Sequence, residues 1–278
     1  MERKKITPVD IQAMKNEGRK ITMLTAYDYP MALLEDRAGI EIILVGDSLG
    51  MTVLGYENTI PVTMDEMIHH TKAVSRGAKY PLIIGDMPFM SYNASEREAI
   101  LNAGRFMKEG AADAVKLEGG AGVKDIVKAL VKAGIPVMGH IGLTPQTISM
   151  LGGFKVQGKD AEAAQKIIDD ALFLEDAGAF SVLLEAVPAP IAKRVTERLK
   201  VPTIGIGAGV HCDGQVLVVH DLLGLFDRFT PKFAKRYVNL SEMILKAFEA
   251  YREEVLKGSF PTDQHSFHMD EKELKKIK

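Results

Sequence analysis

The sequence predicts a single α/β domain folded as a (β/α)8 barrel, or TIM barrel, on three observations. Apolar runs of about four to six residues alternate with longer helical stretches, the pattern of a parallel sheet with crossover helices. A glycine stands shortly before most of these runs, where a helix ends in the left-handed conformation that glycine adopts without a Cβ clash. Eight such units fit within the 278 residues, close to the ~250 that such barrels take. A doubly wound open sheet is the alternative architecture. No Pro/Ser-rich linker divides the chain. Residues 1–258 are therefore expected to form the barrel with an N-terminal helix, and residues 259–278 a polar tail, mobile or in contact with a partner.

Each element has a local cause. Thr7-Pro8-Val9-Asp10 opens the N-terminal helix, with a cap residue before a proline at the first helical position. The first strand is expected over Ile21–Ala26, and Asp28 behind it reads as a helix cap. Gly39 leads into the second strand, Glu41–Val45, and the insert Gly50–Pro61 reads as a loop over a site. Thr63-Met64-Asp65-Glu66 and Ser95-Glu96-Arg97-Glu98 are capping boxes; they start the helices before and after the third strand, Leu82–Ile84. Gly110 and Gly134 precede the fourth and fifth strands, Ala114–Leu117 and Pro136–Met138, and Thr144–Lys159 reads as a second loop over the site. Gly178 precedes the sixth strand, Ser181–Leu184; Pro202–Ile206 and Val216–Val219 complete the set.

Composition excludes several function classes. Lys and Arg number 35 against 37 Asp and Glu, a net charge of −2, which leaves no footprint for nucleic acid or an anionic membrane surface. Cys212 is the single cysteine, so no internal disulfide forms and a reducing, cytoplasmic setting is expected. The basic start, Met1–Lys5, is not followed by the apolar segment of a secretory signal. No apolar run approaches the ~18 residues of a membrane helix.

In a barrel the active site lies at the C-terminal ends of the strands, so the residue closing each apolar run carries the information. The second run closes in Gly46-Asp47-Ser48, the third in Gly85-Asp86, the fourth in Lys116-Leu117-Glu118, the fifth in Gly139-His140 and the sixth in Glu185. Strand side chains alternate faces. Val115 and Leu117 suit the face packed on helices, which turns Lys116 and Glu118 into the barrel, where charge is costly unless it is paired or bound to something. Four carboxylates facing one mouth repel, and a divalent cation relieves them. Oxygen ligands without cysteine suit Mg²⁺, held directly or through water by Asp47, Asp86 and Glu118, with Glu185 free to act as a base. For one acid alone, capping the following helix is the better explanation, and Asp28 keeps it. Taken together with Lys116, the acids read as a site.

These residues lie in stretches that resemble the ketopantoate hydroxymethyltransferase family: Leu24–Asp28 (LTAYD), Val45–Met51 (VGDSLGM), Gly85–Phe89 (GDMPF), Val115–Gly120 (VKLEGG) and Gly139–Gln146 (GHIGLTPQ). Leu184–Pro188 (LEAVP), Gly205–Gly209 (GIGAG), Cys212–Val218 (CDGQVLV) and Pro231–Tyr237 (PKFAKRY) continue the likeness in order. The resemblance implies a barrel with Mg²⁺ at Asp47, Asp86 and Glu118, contacts to the keto acid from Asp47, Ser48, Asp86 and Lys116, and Glu185 as proton acceptor. It implies transfer of a hydroxymethyl group from 5,10-methylenetetrahydrofolate to 3-methyl-2-oxobutanoate through a Mg²⁺-stabilised enolate, and a large homo-oligomer, commonly a decamer. A Mg²⁺-dependent lyase or mutase of the phosphoenolpyruvate mutase/isocitrate lyase type is the nearest rival, but the nucleophilic cysteine loop of those enzymes has no counterpart here. A catalytically silent barrel is the rival of another class; it would be expected to lack one of the five charged residues, and none is lacking.

Other signals carry less. His140 has two open readings, a group near the folate or in a proton path and a satisfied core histidine. Gly205–Gly209 has the wrong spacing for a dinucleotide fingerprint; it allows close backbone approach to a ligand, and a tight turn is the safer reading. His211-Cys212-Asp213 has the types to bind a metal, but one isolated Cys reads as a small buried hydrophobe; His69-His70 reads as structural, His265 and His268 as tail residues without partners, and the 14 Met as core filler.

Overall fold

A computed structural model of the chain describes residues 3–151, 153, 155–226 and 228–277. Met1 and Glu2 of the basic start, Gly152 and Phe154 of the second expected loop, and Lys278 of the tail lie outside them. Eight parallel strands close in sequence order into a barrel: β1 Ile21–Thr25, β2 Ile42–Val45, β3 Leu82–Asp86, β4 Ala114–Glu118, β5 Val137–Gly142, β6 Ser181–Glu185, β7 Thr203–Ile206 and β8 Gly214–Leu217. The open-sheet alternative is excluded, because β8 pairs with β1 from Ile21↔Gly214 to Leu24↔Leu217.

The alternation expected of β4 is present: Val115 and Leu117 belong to the layer between sheet and helices, and Lys116 and Glu118 line the interior cavity. The helix starts hold as well. Thr7 and Thr63 form reciprocal capping boxes with Asp10 and Glu66, and the Asp28 carboxylate accepts from the Met31 amide at 2.8 Å. Ser95 accepts from the Glu98 amide as a simple cap, without the return bond from Glu98 that the expected capping box would have.

The strand bounds differ from expectation by a single residue at β1, β2, β6 and β7, and more tellingly at β3, β4, β5 and β8. β3 runs two residues further, into Asp86, and β4 one residue further, into Glu118, because a strand does not end where its hydrophobicity does. β5 runs on to Gly142, with Gly139 and His140 paired to Leu117 and Glu118 of β4. A Cβ at Gly139 would meet the Leu174 side chain at 2.6 Å, so the glycine that interrupts the apolar run is needed for the helix to pack there. β8 begins two residues early and ends at Leu217; Val219 instead opens a short helix, its amide donating to Thr25 Oγ1 at 3.0 Å. At Gly214 a Cβ would lie 2.6 Å from the Ile21 carbonyl oxygen, so this strand starts on a glycine and not on its apolar run.

The expected loops also hold short helices, Leu49–Thr52 in the first, and Pro145–Thr147 (a 3-10 turn) and Ile148–Leu151 in the second. The N-terminal helix Pro8–Asn16 closes the bottom of the barrel. Its Ile11 and Met14 are buried with Ile21, Ile42, Leu82, Ala114 and Val216, and Lys15 Nζ reaches Asp213 Oδ2 at 2.8 Å. After the barrel, the helix Leu240–Lys257 buries none of its residues. In the segment beyond it, His265 Nδ1 lies 2.7 Å from Thr262 Oγ1 and His268 Nε2 lies 3.2 Å from Asp263 Oδ1, so both tail histidines have partners, contrary to expectation. No helix among the described residues is long and apolar enough to cross a membrane.

Candidate active site

The strand ends converge on one cavity of about 360 Å³ at the C-terminal mouth. Asp47, Ser48, Asp86, Lys116, Glu118, His140 and Glu185 all line it. Asp47, Asp86, Lys116, Glu118 and His140 are each no more than 4% exposed, so their charges have lost nearly all their hydration and answer to one another. Glu185 opens toward the cavity.

Lys116 lies at the centre. Its Nζ is 2.7 Å from Asp86 Oδ1, 3.7 Å from Glu118 Oε1 and 3.2 Å from His140 Nδ1. Burial opposes its charge, but Asp86, Glu118 and Asp47 outweigh burial and hold the ammonium above its ordinary range. His140 bridges two carboxylates, with Nδ1 3.4 Å from Glu118 Oε1 and Nε2 3.1 Å from Glu185 Oε2. Burial and Lys116 disfavour the imidazolium, yet the hydrogen bonds of Glu118 and Glu185 prevail and push His140 up to about 9. Burial likewise opposes charge on Glu118, but His140 and Lys116 hold its carboxyl below the usual value. Asp47 is the reverse case: burial, then Asp86 and Glu118, push it well up. Burial raises Asp86 against the pull of Lys116.

The backbone fixes these groups. The Asp47 amide donates to Asp86 Oδ2 at 3.0 Å, and Ser48 Oγ lies 2.8 Å from the Tyr27 hydroxyl. Ala186, just past Glu185, has φ +49°, a conformation that non-glycine residues adopt at a cost of order 1–3 kcal/mol and that recurs at functional sites.

The donor set fits a divalent cation. The carboxylates of Asp47, Asp86, Glu118 and Glu185 share one cavity with Lys116; burial and the charges of Asp86 and Glu118 push Asp47 well up, and a cation among these oxygens would relieve that repulsion. Among the described residues no three His, Cys, Asp or Glu side chains stand as a ready-made metal cage. The cation suited to such a site is one that keeps several waters and takes few protein oxygens, as Mg²⁺ does.

Several residues on or behind the cavity wall carry no signal at the strand ends. Gln146 and Tyr92 tie the acids together from two loops. Phe226, Phe229, Lys232 and Phe233, from the segment after β8, and Lys155 and Val156 from the second loop, form the outer wall. The aromatic spacing of the 226–233 stretch was the available clue. His69 and His70 lie outside the cavity, with His70 Nδ1 2.7 Å from the Tyr27 carbonyl oxygen. Gly205 and Ile206 end β7, so only the residues beyond them turn, with positive φ at Gly207 and Gly209; Cys212 is buried.

A closed parallel barrel with its charged groups gathered at the C-terminal mouth defines a (β/α)8 barrel enzyme. The sequence model of the ketopantoate hydroxymethyltransferase family matches residues 5–263, and the chain belongs to that family. Relatives named 3-methyl-2-oxobutanoate hydroxymethyltransferase include those of Syntrophus aciditrophicus, 61% identical with 95% of this chain and 97% of the relative covered, and Moorella thermoacetica, 61% identical with 96% and 99% covered. The relative from Carboxydothermus hydrogenoformans is 58% identical, with 98% and 99% covered. Among solved structures, a phosphonopyruvate hydrolase superposes with a TM-score of 0.62 at 12% identity, over 97% of this chain and 94% of that one. A 2,3-dimethylmalate lyase gives 0.57 at 14%, over 98% and 94%. At such identities these two share the fold.

Proposed function

We propose that the chain transfers a hydroxymethyl group from 5,10-methylenetetrahydrofolate to 3-methyl-2-oxobutanoate, giving 2-dehydropantoate and tetrahydrofolate with uptake of one water, in pantothenate biosynthesis. The observation that carries this reading is the meeting of Asp47, Asp86, Lys116, Glu118, His140 and Glu185 in one cavity of a chain from this family.

Asp47, Asp86 and Glu118 would hold Mg²⁺, directly or through water. When bound, the cation supplies Lewis acidity to the oxygens of a 2-oxo acid. The chain's own groups do the rest. Asp47, Ser48, Asp86 and Lys116 contact the keto acid; the Ser48 hydroxyl donates to its carboxylate, and Lys116 places a fixed positive charge beside the oxygen that becomes anionic. Glu185 takes the C3 proton as general base, and His140, whose Nε2 lies 3.1 Å from Glu185 Oε2, fixes its direction. The resulting carbon nucleophile bonds to the methylene carbon of the folate, and the two bonds from that carbon to folate nitrogens break with uptake of one water: the water oxygen becomes the new hydroxyl, while its other proton and the C3 proton taken by Glu185 go to the two nitrogens of the departing tetrahydrofolate.

Leu44, Leu183, Ile206 and Val216 line the same cavity and suit the isopropyl group of the substrate. The outer wall, with Phe226, Phe229 and Phe233 beside Lys155 and Lys232, suits a flat, anionic folate. Met243, Leu245, Phe248, Tyr251 and Leu256 are exposed on the helix Leu240–Lys257. An apolar face of that kind supports association, and we read the protein as a cytoplasmic homo-oligomer, a decamer, with residues 259–278 as its polar tail.

The test is to incubate the protein with 3-methyl-2-oxobutanoate and methylenetetrahydrofolate, with Mg²⁺ and with chelator, and to assay ketopantoate. Product is expected with Mg²⁺ only, and Asp86→Ala combined with Glu118→Ala should abolish both product and keto-acid binding. Full activity in that double variant would overturn the metal assignment. A C–C cleavage product from the wild type would replace transfer with lyase chemistry.

A further inference from the structure

Gln146 makes more contacts to the candidate metal ligands than any role assigned above accounts for. It sits in the 3-10 turn Pro145–Thr147 after β5 and is 2% exposed. Its Nε2 donates to Asp47 Oδ2 at 2.8 Å and to the Met87 carbonyl oxygen at 2.9 Å. Its Oε1 accepts from the Tyr92 hydroxyl at 2.7 Å, and its backbone amide donates to Glu118 Oε2 at 3.0 Å. Tyr92 is itself 1% exposed; its oxygen also accepts from the Glu118 amide at 3.2 Å.

This network fixes the orientation of the amide. Two acceptors face the nitrogen and a hydroxyl faces the oxygen, so turning the amide over would set Oε1 against two oxygens. One loop residue thereby grips carboxylates from β2 and β4 that are not on neighbouring strands. The donor is also neutral. A lysine in its place would add a second positive charge to that of Lys116, whereas the amide engages one oxygen of Asp47 and adds no charge. Ligating carboxylates are commonly held in this way, and loss of the outer hydrogen bond costs about 10–100-fold in metal affinity.

We infer that Gln146, fixed by Tyr92, is a positioning residue that presents the Asp47 carboxylate to the divalent cation. The inference rests on the metal reading above. Because the Glu118 contact comes from the backbone, side-chain replacement acts on the Asp47 arm and leaves the Glu118 arm in place.

The experiment is titration of the full chain with Mn²⁺, free ion being read by its paramagnetic resonance signal, with thermal melting of each variant in parallel. Gln146→Met, which keeps the length and loses both donors, should weaken Mn²⁺ binding about 10–100-fold. Tyr92→Phe should weaken it less, in the same direction, and serves alone if Gln146→Met does not fold. In an Asp47→Ala background Gln146→Met should weaken Mn²⁺ no further, since its effect runs through Asp47. Unchanged Mn²⁺ affinity in Gln146→Met, or in Tyr92→Phe where that variant stands alone, overturns the inference and leaves the metal reading standing. Losses that add in the double variant would also overturn it, by showing general support of the fold. A wild type that binds no Mn²⁺ would remove the metal reading, and the inference with it.

Discussion

The two ends of the barrel solve the same packing problem by opposite means. At the bottom, Ile11 and Met14 of the N-terminal helix meet Ile21, Ile42, Leu82 and Ala114 in an apolar plug, and charge is held at the edge, where Lys15 pairs with Asp213. At the top, the strands β2 to β6 end in Asp47, Asp86, Lys116, Glu118, His140 and Glu185 around a cavity. Burying an apolar side chain contributes roughly 1.5–3 kcal/mol. Burying a charge costs free energy unless it is paired, and a buried pair is weak evidence for stability. The bottom therefore sets stability and the top stores charge that folding alone does not require. The difference locates function at the mouth by energetics, independently of any family likeness.

The sharpest way to break this comparison is at Glu185. Glu185→Gln should lower transfer about 10²–10⁴-fold and remove exchange of the substrate's C3 proton in D₂O, with keto-acid binding and melting temperature little changed. Proton exchange at the wild-type rate would move the base elsewhere. The matching change below is Ile11→Ala, in the apolar plug at 0% exposure. It should cost about 2–5 kcal/mol of stability, read as a shifted denaturant midpoint, with activity per folded molecule unchanged. If Ile11→Ala instead lowered activity in the fully folded protein, the two ends would be coupled and the division above would fail.

The two ends also differ in how far they are legible in the sequence. Lys116 and Glu118 can be placed inside the barrel from alternation alone, because Val115 and Leu117 demand the helical layer. The N-terminal helix is recognisable from Thr7-Pro8, but nothing in its spacing says that it plugs the barrel, since that depends on the closed sheet presenting an apolar floor. His140 stays open until its two nitrogens are seen between Glu118 and Glu185. Gln146 falls in a stretch that carries the family likeness, but nothing in the sequence joins it to Tyr92, because they are 54 residues apart and meet only through folded loops. Gly214 and Gly139 mislead for a related reason: they are strand residues selected by the space left by Ile21 and Leu174, which hydrophobicity does not record.

Glu35 sharpens the comparison most finely, because it is a buried carboxyl that lies outside the mouth. It sits on the helix Tyr29–Ala38, and among the described residues neither of its side-chain oxygens has a hydrogen-bond partner. Burial, with a smaller push from Asp28, raises it to about 8, whereas the buried acids of the mouth have Lys116 beside them. The sign follows from linkage. Below its ordinary value of 4.5 Glu35 is protonated in both folded and unfolded chains and costs nothing extra. As pH rises from 4.5 toward 8 the unfolded chain releases that proton while the folded chain retains it, so the stability contribution falls across that window and levels off above it. Glu35→Gln, which fixes the neutral form, should match the wild type near pH 4.5 and exceed it by about 1–3 kcal/mol at pH 8. Denaturant unfolding of both proteins across that range is the measurement. Curves that run parallel would show that Glu35 ionises without penalty in the folded protein, and would end the contrast between an acid with partners and one without.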